Sequence, residues 1–338
     1  MKPTRTLLVS LLAVALVAWF LRHANLTEVW LGMRGADRGM LALGTALFVP
    51  MMVIRAVRWR FLMRPIGPVR LRTAWRTTMI GFAASNVLPA RVGEVLRPYL
   101  LARAEGLNAT SAFATIVVER LLDGLAVLGL LALYLTGVTG PHPRTALMAT
   151  VAVSSAVTAL AILGLLVLMA ILSAHPERVG RIVHSSERVL PTRAAAALAR
   201  LAERFSKGLG VARDPRLLVV SMAWTVSLWL TIAAQTWLVS RAFGVAMTAG
   251  GTFLQQALLV IGIAMPTPGG VGGFHEAYRY GATTFFGASN NAAVGAALVL
   301  HAMSFFPTTL FGGLFMLQDG LNVSRLRDLA DEGATVAQ

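Results

Sequence analysis

Between Asn86 and Leu101 an apolar run carries Arg91, Glu94 and Arg97, and Pro89 and Pro98 bracket the three charges. A charge left uncompensated at the centre of a bilayer costs at least ~2.5–3.5 kcal/mol, so such residues are held for a purpose. The guanidinium forks of Arg91 and Arg97 suit bidentate capture of a phosphate diester, for which Arg is preferred over Lys. Glu94, Glu119 and Asp123 are expected to hold those guanidinia while no substrate is bound. Glu119 and Asp123 stand four apart and share a helical face, and Arg120, three before Asp123, can pair with it. Farther along, His275, Glu276 and Arg279 follow a stretch rich in glycine, and Glu276 and Arg279 lie one turn apart if a helix resumes after Gly273. The glycines would also free backbone N–H groups at a helix start, where anions bind. Glu94, Glu119, Asp123, His275 and Glu276 are the groups to consider for proton coupling, should burial bring one near neutrality.

Each feature has a plainer reading. Glu119, Arg120 and Asp123 would serve equally as a structural ion-pair network bracing two spans. Arg91 and Arg97 could snorkel to headgroups. The glycines of 268–273 could exist only for close helix packing, and His301 as a satisfied buried histidine. No His-Glu-x-x-His or cysteine pattern supports a metal site, and no nucleotide or dinucleotide signature occurs in a useful context; no cofactor is expected.

The elements that must position these residues follow from composition. Of 338 residues, 56% are hydrophobic and 13% charged, with no cysteine. Soluble domains carry about a quarter charged residues, so long apolar runs here mean an all-α polytopic membrane protein. The net charge of +15 comes almost wholly from Arg, Lys occurring only at Lys2 and Lys207. It is explained by topology and anionic lipid rather than nucleic acid.

Full spans are expected near Thr6–Leu21 (retained, lacking a cleavage site), Met40–Ile54, Ser111–Leu135, Thr145–Leu172, Leu217–Val239 and Ala293–Leu317, with a short polar stretch between the first two. Arg55, Arg58, Arg60, Arg64, Arg70, Arg72 and Arg76 would form a cytoplasmic loop flanked by interfacial Trp59 and Trp75. Residues 77–110 and 250–286 are too interrupted for plain spans. Pro89, Gly93 and Pro98 in the first, and Pro266, Pro268, Gly269, Gly270, Gly272 and Gly273 in the second, mark broken helices tolerated only beside protein or a wet cavity. The expectation is therefore about six spans plus two re-entrant hairpins. They make one membrane domain, 1–318, with a first half near 1–135 and a second near 145–318. Between the halves runs a cytoplasmic connection, 173–216, and residues 319–338 form a short cytoplasmic tail. In the connection, residues 194–211 put Leu198, Leu201, Phe205 and Leu209 on one stripe, for an amphipathic helix on the inner leaflet or one packed on the loop's own core.

The interrupted segments share P-x-x-V-G, at Pro89 to Gly93 and Pro268 to Gly272, each followed six residues later by a tyrosine, Tyr99 and Tyr278. Entered from opposite sides, they form an inverted repeat, the arrangement of transporters with a mid-membrane site and alternating access.

On Asn86, Leu88 to Glu94, Arg97, Glu119 to Asp123, and Pro266 to Gly273 with Glu276, the chain resembles the lysylphosphatidylglycerol synthase transmembrane-region family, the flippase-type membrane domain of bacterial multiple peptide resistance factors. The resemblance implies translocation of a polar-headgroup lipid, a phospholipid or isoprenoid-linked lipid, across a bacterial or archaeal cytoplasmic membrane. Only a short tail follows the last span, so lysyl-lipid synthesis is not expected here. Both termini are expected in the cytoplasm, and a homodimer is left open. Two alternatives stay open: an integral membrane enzyme acting on a lipid-linked substrate, and a non-transporting scaffold for lipid synthesis.

Overall fold

The computed structural model describes residues 15, 17–22, 24–88, 91–138, 146–177, 192–265 and 267–321. The expected hinge prolines Pro89 and Pro266, most of the first span and the tail beyond 321 lie outside them. The described residues form helices α1 (Leu26–Gly35), α2 (Arg38–Ala46), α3 (Phe48–Met63), α4 (Leu71–Val87), α5 (Val92–Glu105) and α6 (Ala109–Leu135). They continue as α7 (Ala146–Ala174), α8 (Thr192–Gly208), α9 (Pro215–Ala242), α10 (Gly251–Ile263), α11 (Gly273–Phe286) and α12 (Asn290–Gln318).

Local chemistry sets most of these ends. The side chains of Asn25, Asp37, Asn108, Asp214 and Ser289 accept from free N–H groups at the starts of α1, α2, α6, α9 and α12. Gly106 and Gly287 close α5 and α11 in the left-handed conformation.

Among the described residues four stretches, Arg38–Met63, Ala149–Ala174, Pro215–Ala242 and Asn290–Gln318, are long and apolar enough to cross a membrane. The protein is thus a multi-pass membrane protein. Along α7, Val153, Val157, Leu160, Val167 and Ile171 are more than half exposed. A surface this apolar needs lipid rather than water around it.

The helices pack as two lobes. In one, α3, α6 and α7 bury Trp59, Leu62, Leu122 and Leu166 with the ends of α4 and α5. In the other, α9 to α12 bury Val239, Leu259, Tyr278 and Leu300. The lobes are joined where α12 lies on α4, where α9 lies on α3 and α6, and where α10 lies on α6. A Cβ added at Gly312 would fall 2.3 Å from the Met79 carbonyl oxygen.

Three local expectations change. The second span does not stop at Ile54: α2 and α3 run on to Met63, so Arg55, Arg58 and Arg60 are helical rather than in a basic loop. Hydropathy ended the span at its first Arg, whereas partners on other helices let the helix continue. Trp59 is no interfacial anchor; it is fully buried and donates its Nε1–H to Thr115 Oγ1 at 3.1 Å. The polar stretch before the second span is α1, which packs on α12.

The amphipathic stretch is α8 plus a 3-10 turn, Leu209–Arg213. It packs on the bundle: Ala195, Ala199, Ser206 and, of the expected stripe, Leu209 are buried, Phe205 packs on the same core, and Ser111 Oγ donates to the Arg204 carbonyl at 2.7 Å. Leu198, on the expected apolar stripe, is exposed.

Candidate functional site

Both interrupted segments are helical hairpins, α4–α5 and α10–α11, and each closes on a pair of glycines. A Cβ on Gly93 would lie 1.8 Å from the Gly81 carbonyl oxygen, and one on Gly273 would lie 2.2 Å from that of Gly262. Only hydrogen fits there, so each hairpin's arms touch backbone to backbone. The breaks are alike too. Arg91 has φ 53 and Gly270, its counterpart in the shared motif, has φ 70. Arg91 is the sole non-glycine residue with positive φ among the described residues. The helix of the first hairpin breaks before Arg91. Pro98, expected to break it as well, lies inside the continuous α5.

The charges expected on α5 and α6 do meet, around Glu119, which is wholly buried. Arg97 grips it with both terminal nitrogens, Nη1 at 3.0 Å from Oε1 and Nη2 at 3.2 Å from Oε2. Arg120 Nη2 donates to Glu119 Oε1 at 2.9 Å. Arg58, from α3, places Nη2 3.0 Å from Glu119 Oε1 as a charge contact and donates through Nη1 to Asp123 Oδ1. The Trp229 Nε1–H also donates to Asp123 Oδ1, at 3.1 Å. Trp59 lies under the Arg97 guanidinium, 3.9 Å from ring centroid to carbon. These contacts tie α3, α5, α6 and α9 together. Taking one partner from a buried pair of this kind costs ~3–5 kcal/mol.

Beside the network lies a cavity of about 470 Å³ to which both lobes contribute. Arg55, Arg91, Glu94, Arg97, Arg120 and Asp123 give its polar wall on the first lobe. Trp229, Gln256, Gly269, Phe274 and His301 face it from the second. Arg97 is 95% covered, whereas the Arg120 side chain is 45% exposed and available to a ligand. Arg91 pairs with Glu94 at 3.6 Å and donates to the Ile263 carbonyl at the end of α10, so it reaches from one hairpin to the other. Asn86 does likewise at a second point, donating to Thr309 Oγ1 at 2.9 Å and Thr308 Oγ1 at 3.0 Å on α12.

The remaining expected residues are elsewhere. Glu276 pairs with Arg279, and Arg279 Nη1 also donates to Asn290 Oδ1 at 3.2 Å. Neither residue faces the cavity. His275 accepts from the Gly272 N–H at 3.2 Å and meets His301 at 3.0 Å across its other nitrogen. His301 also contacts the Gly269 carbonyl at 3.0 Å, so the two rings pin the glycine break. Sequence reasoning missed Arg55, Arg58, Trp229 and the cavity-facing position of His301. The spacing of Arg55 and Arg58, one turn apart like Arg120 and Asp123, was the available signal for the first two.

Comparison with known proteins gives a consistent picture. The profile of the family described as Lysylphosphatidylglycerol synthase TM region matches residues 6–312. Glycosyltransferase AglD of Haloferax volcanii is 28% identical over 134 residues, 39% of this chain and 21% of that protein. The membrane protein UPF0104 MJ1595 of Methanocaldococcus jannaschii is 23% identical over 125 residues, 36% of this chain and 37% of its own. The chain therefore spans about a fifth and about a third of these two curated relatives.

Proposed function

We propose, given that the chain belongs to the lysylphosphatidylglycerol synthase transmembrane-region family, that it carries a lipid with an anionic or zwitterionic headgroup between the leaflets of a bacterial or archaeal cytoplasmic membrane. The observation that carries this reading is the cavity: a polar, charged hollow of about 470 Å³ between two lobes whose outer faces are apolar. What makes unassisted flipping slow is taking a polar headgroup through hydrocarbon. A lined path removes that barrier while the tails stay in lipid, and no nucleotide is needed.

In this reading α4–α5 and α10–α11 are re-entrant hairpins of an inverted repeat among about six spans, and the cavity opens alternately to either side. Support comes from the matched glycine pairs and the matched positive φ at Arg91 and Gly270. Arg91 and Asn86, which bridge the lobes, would be remade as the lobes rock. Arg120 is the ligand-facing charge, with Arg97, Glu119 and Asp123 fixing its position. Of the acids considered for proton coupling, Glu94 is favoured, because its side chain is 40% exposed to the cavity side and Glu119 is enclosed by guanidinia.

An enzyme acting on a lipid-linked substrate is the second reading, prompted by the relative named as a glycosyltransferase. It requires a general base at the cavity, Glu94 or Glu276 with His275 assisting; Glu276 is tied to Arg279 away from the cavity, and Glu94, which lines it, pairs with Arg91 at 3.6 Å. The experiment is dithionite quenching of acyl-labelled fluorescent phosphatidylglycerol in proteoliposomes, for the wild type and Arg120→Ala. Protein-dependent quenching of the inner leaflet that falls at least about ten-fold in the variant supports transport. Equal rates with both proteins folded remove it, and a covalently altered lipid on mass analysis selects the enzyme.

A further inference from the structure

The cavity's charges do not balance. Around it four guanidinium groups, Arg55, Arg58, Arg97 and Arg120, stand against two carboxylates, Glu119 and Asp123, while Arg91 and Glu94 cancel one another. Arg58, Arg97 and Arg120 share the two carboxylates, and Arg55 has none. It lies on α3 one turn before Arg58, within electrostatic reach of Arg58, Arg120, Glu119 and Asp123, yet no carboxylate comes within 4.0 Å of it among the described residues. The Phe82 ring lies 5.2 Å from its guanidinium carbon. That ring supports one side of the guanidinium and supplies no acceptor. The Nε–H is buried without a hydrogen-bond partner. A guanidinium in this position is costly unless an anion or water in the cavity takes its protons.

We infer that Arg55, with Arg120, is the anchor for a phosphate bearing net negative charge, and that the cavity therefore selects a lipid phosphomonoester over a zwitterionic headgroup. This inference rests on the lipid-carrier reading and narrows its substrate class. Two surplus positive charges match the roughly −1.5 to −2 of a phosphomonoester near neutral pH. A phosphodiester such as phosphatidylglycerol leaves one unmatched. A choline headgroup brings its own cation into a hollow already positive. The planar fork of Arg55 also suits phosphate oxygens better than a point charge would.

The test titrates purified full-length protein in detergent with dioleoyl phosphatidic acid, phosphatidylglycerol and phosphatidylcholine, reading bound lipid by native mass spectrometry. Phosphatidic acid should bind at least about ten-fold tighter than phosphatidylcholine, with phosphatidylglycerol between. Arg55→Gln should remove the preference, bringing phosphatidic acid down to the phosphatidylcholine level, and Arg55→Lys should keep the order. Equal wild-type affinities overturn the inference, as does a folded Arg55→Gln protein that keeps the preference. If Arg55→Gln does not fold, the wild-type series and Arg55→Lys decide in the same terms. Sodium phosphate distinguishes the source: displacement of phosphatidic acid only at concentrations far above the lipid's supports a lipid ligand, and equally tight binding of the tail-less anion overturns it. A binding preference without translocation of any labelled lipid would sink the carrier reading alone. Translocation of phosphatidic acid and phosphatidylcholine at equal rates and affinities would sink this inference alone.

Discussion

The two hairpins share a backbone plan and differ in what holds them. Each folds back on a glycine pair, Gly81 with Gly93 and Gly262 with Gly273, and each breaks through left-handed residues. The first then puts Arg97 into a buried ion-pair network. At its break the second is held by neutral groups, the pair His275 and His301 on its glycine carbonyl and N–H, with Gln255 donating to the Ala277 carbonyl at 3.2 Å, while its Glu276–Arg279 ion pair lies away from the cavity. One arm of the fold thus carries charge to the cavity while the other supplies a neutral wall. Under the proposed carrier function, that division would place headgroup binding on the first hairpin.

The comparison can be tested from its strongest element to its weakest. Glu119→Ala strands three guanidinia in the first lobe. It should cost ~3–5 kcal/mol, seen as a large drop in unfolding midpoint in detergent or as loss of inserted protein. Gly93→Ala and Gly273→Ala force a methyl into a carbonyl oxygen and should each destabilise by about 3 kcal/mol or more, on the same assay. A mild effect in only one would break the equivalence of the hairpins. Asn86→Ala removes the α4 to α12 bridge and should cost about 1–3 kcal/mol. It should also change headgroup transfer rates more than binding, if that contact is remade as the lobes move. Glu276→Gln, away from the cavity and part-exposed, should cost at most about 1 kcal/mol and leave lipid binding unchanged. A large binding loss there would overturn the asymmetry argued above.

The smallest effect concerns pH. At the end of α5, partial burial works to raise the Glu105 carboxyl, but hydrogen bonds from Thr73 and Arg70 outweigh it and hold it below its ordinary value. A carboxyl lowered on folding adds stability above its unfolded value and loses it as pH falls through the folded one. Acid unfolding of the wild type should therefore be steeper below the ordinary Glu range than that of Glu105→Gln.

Much of the bundle was legible because apolar length and capping residues are local. Asn108, Asp214 and Ser289 begin helices at or within a few residues of the expected spans. The meeting of Arg97 with Glu119 was legible in kind, because buried opposite charges seek each other. Arg55 and Arg58 were not: a count of hydropathy reads an arginine as the end of a span and has no means of crediting an acid on another helix. Glu276 and Arg279 were expected at the site because they follow the glycine stretch one turn apart. Their side chains turn to each other and to Asn290 instead.

The order of residues by itself determined the helical class, four of the long apolar stretches to within a few residues of at least one end, the two glycine-bearing breaks and the family, since each depends on composition or spacing within one stretch of chain. Which charges are braces and which face the hollow was decided only when α3 lay against α6 and the second lobe closed over both. Charge pairing at short range depends on distance between helices far apart in sequence, and that distance exists only in the packed bundle.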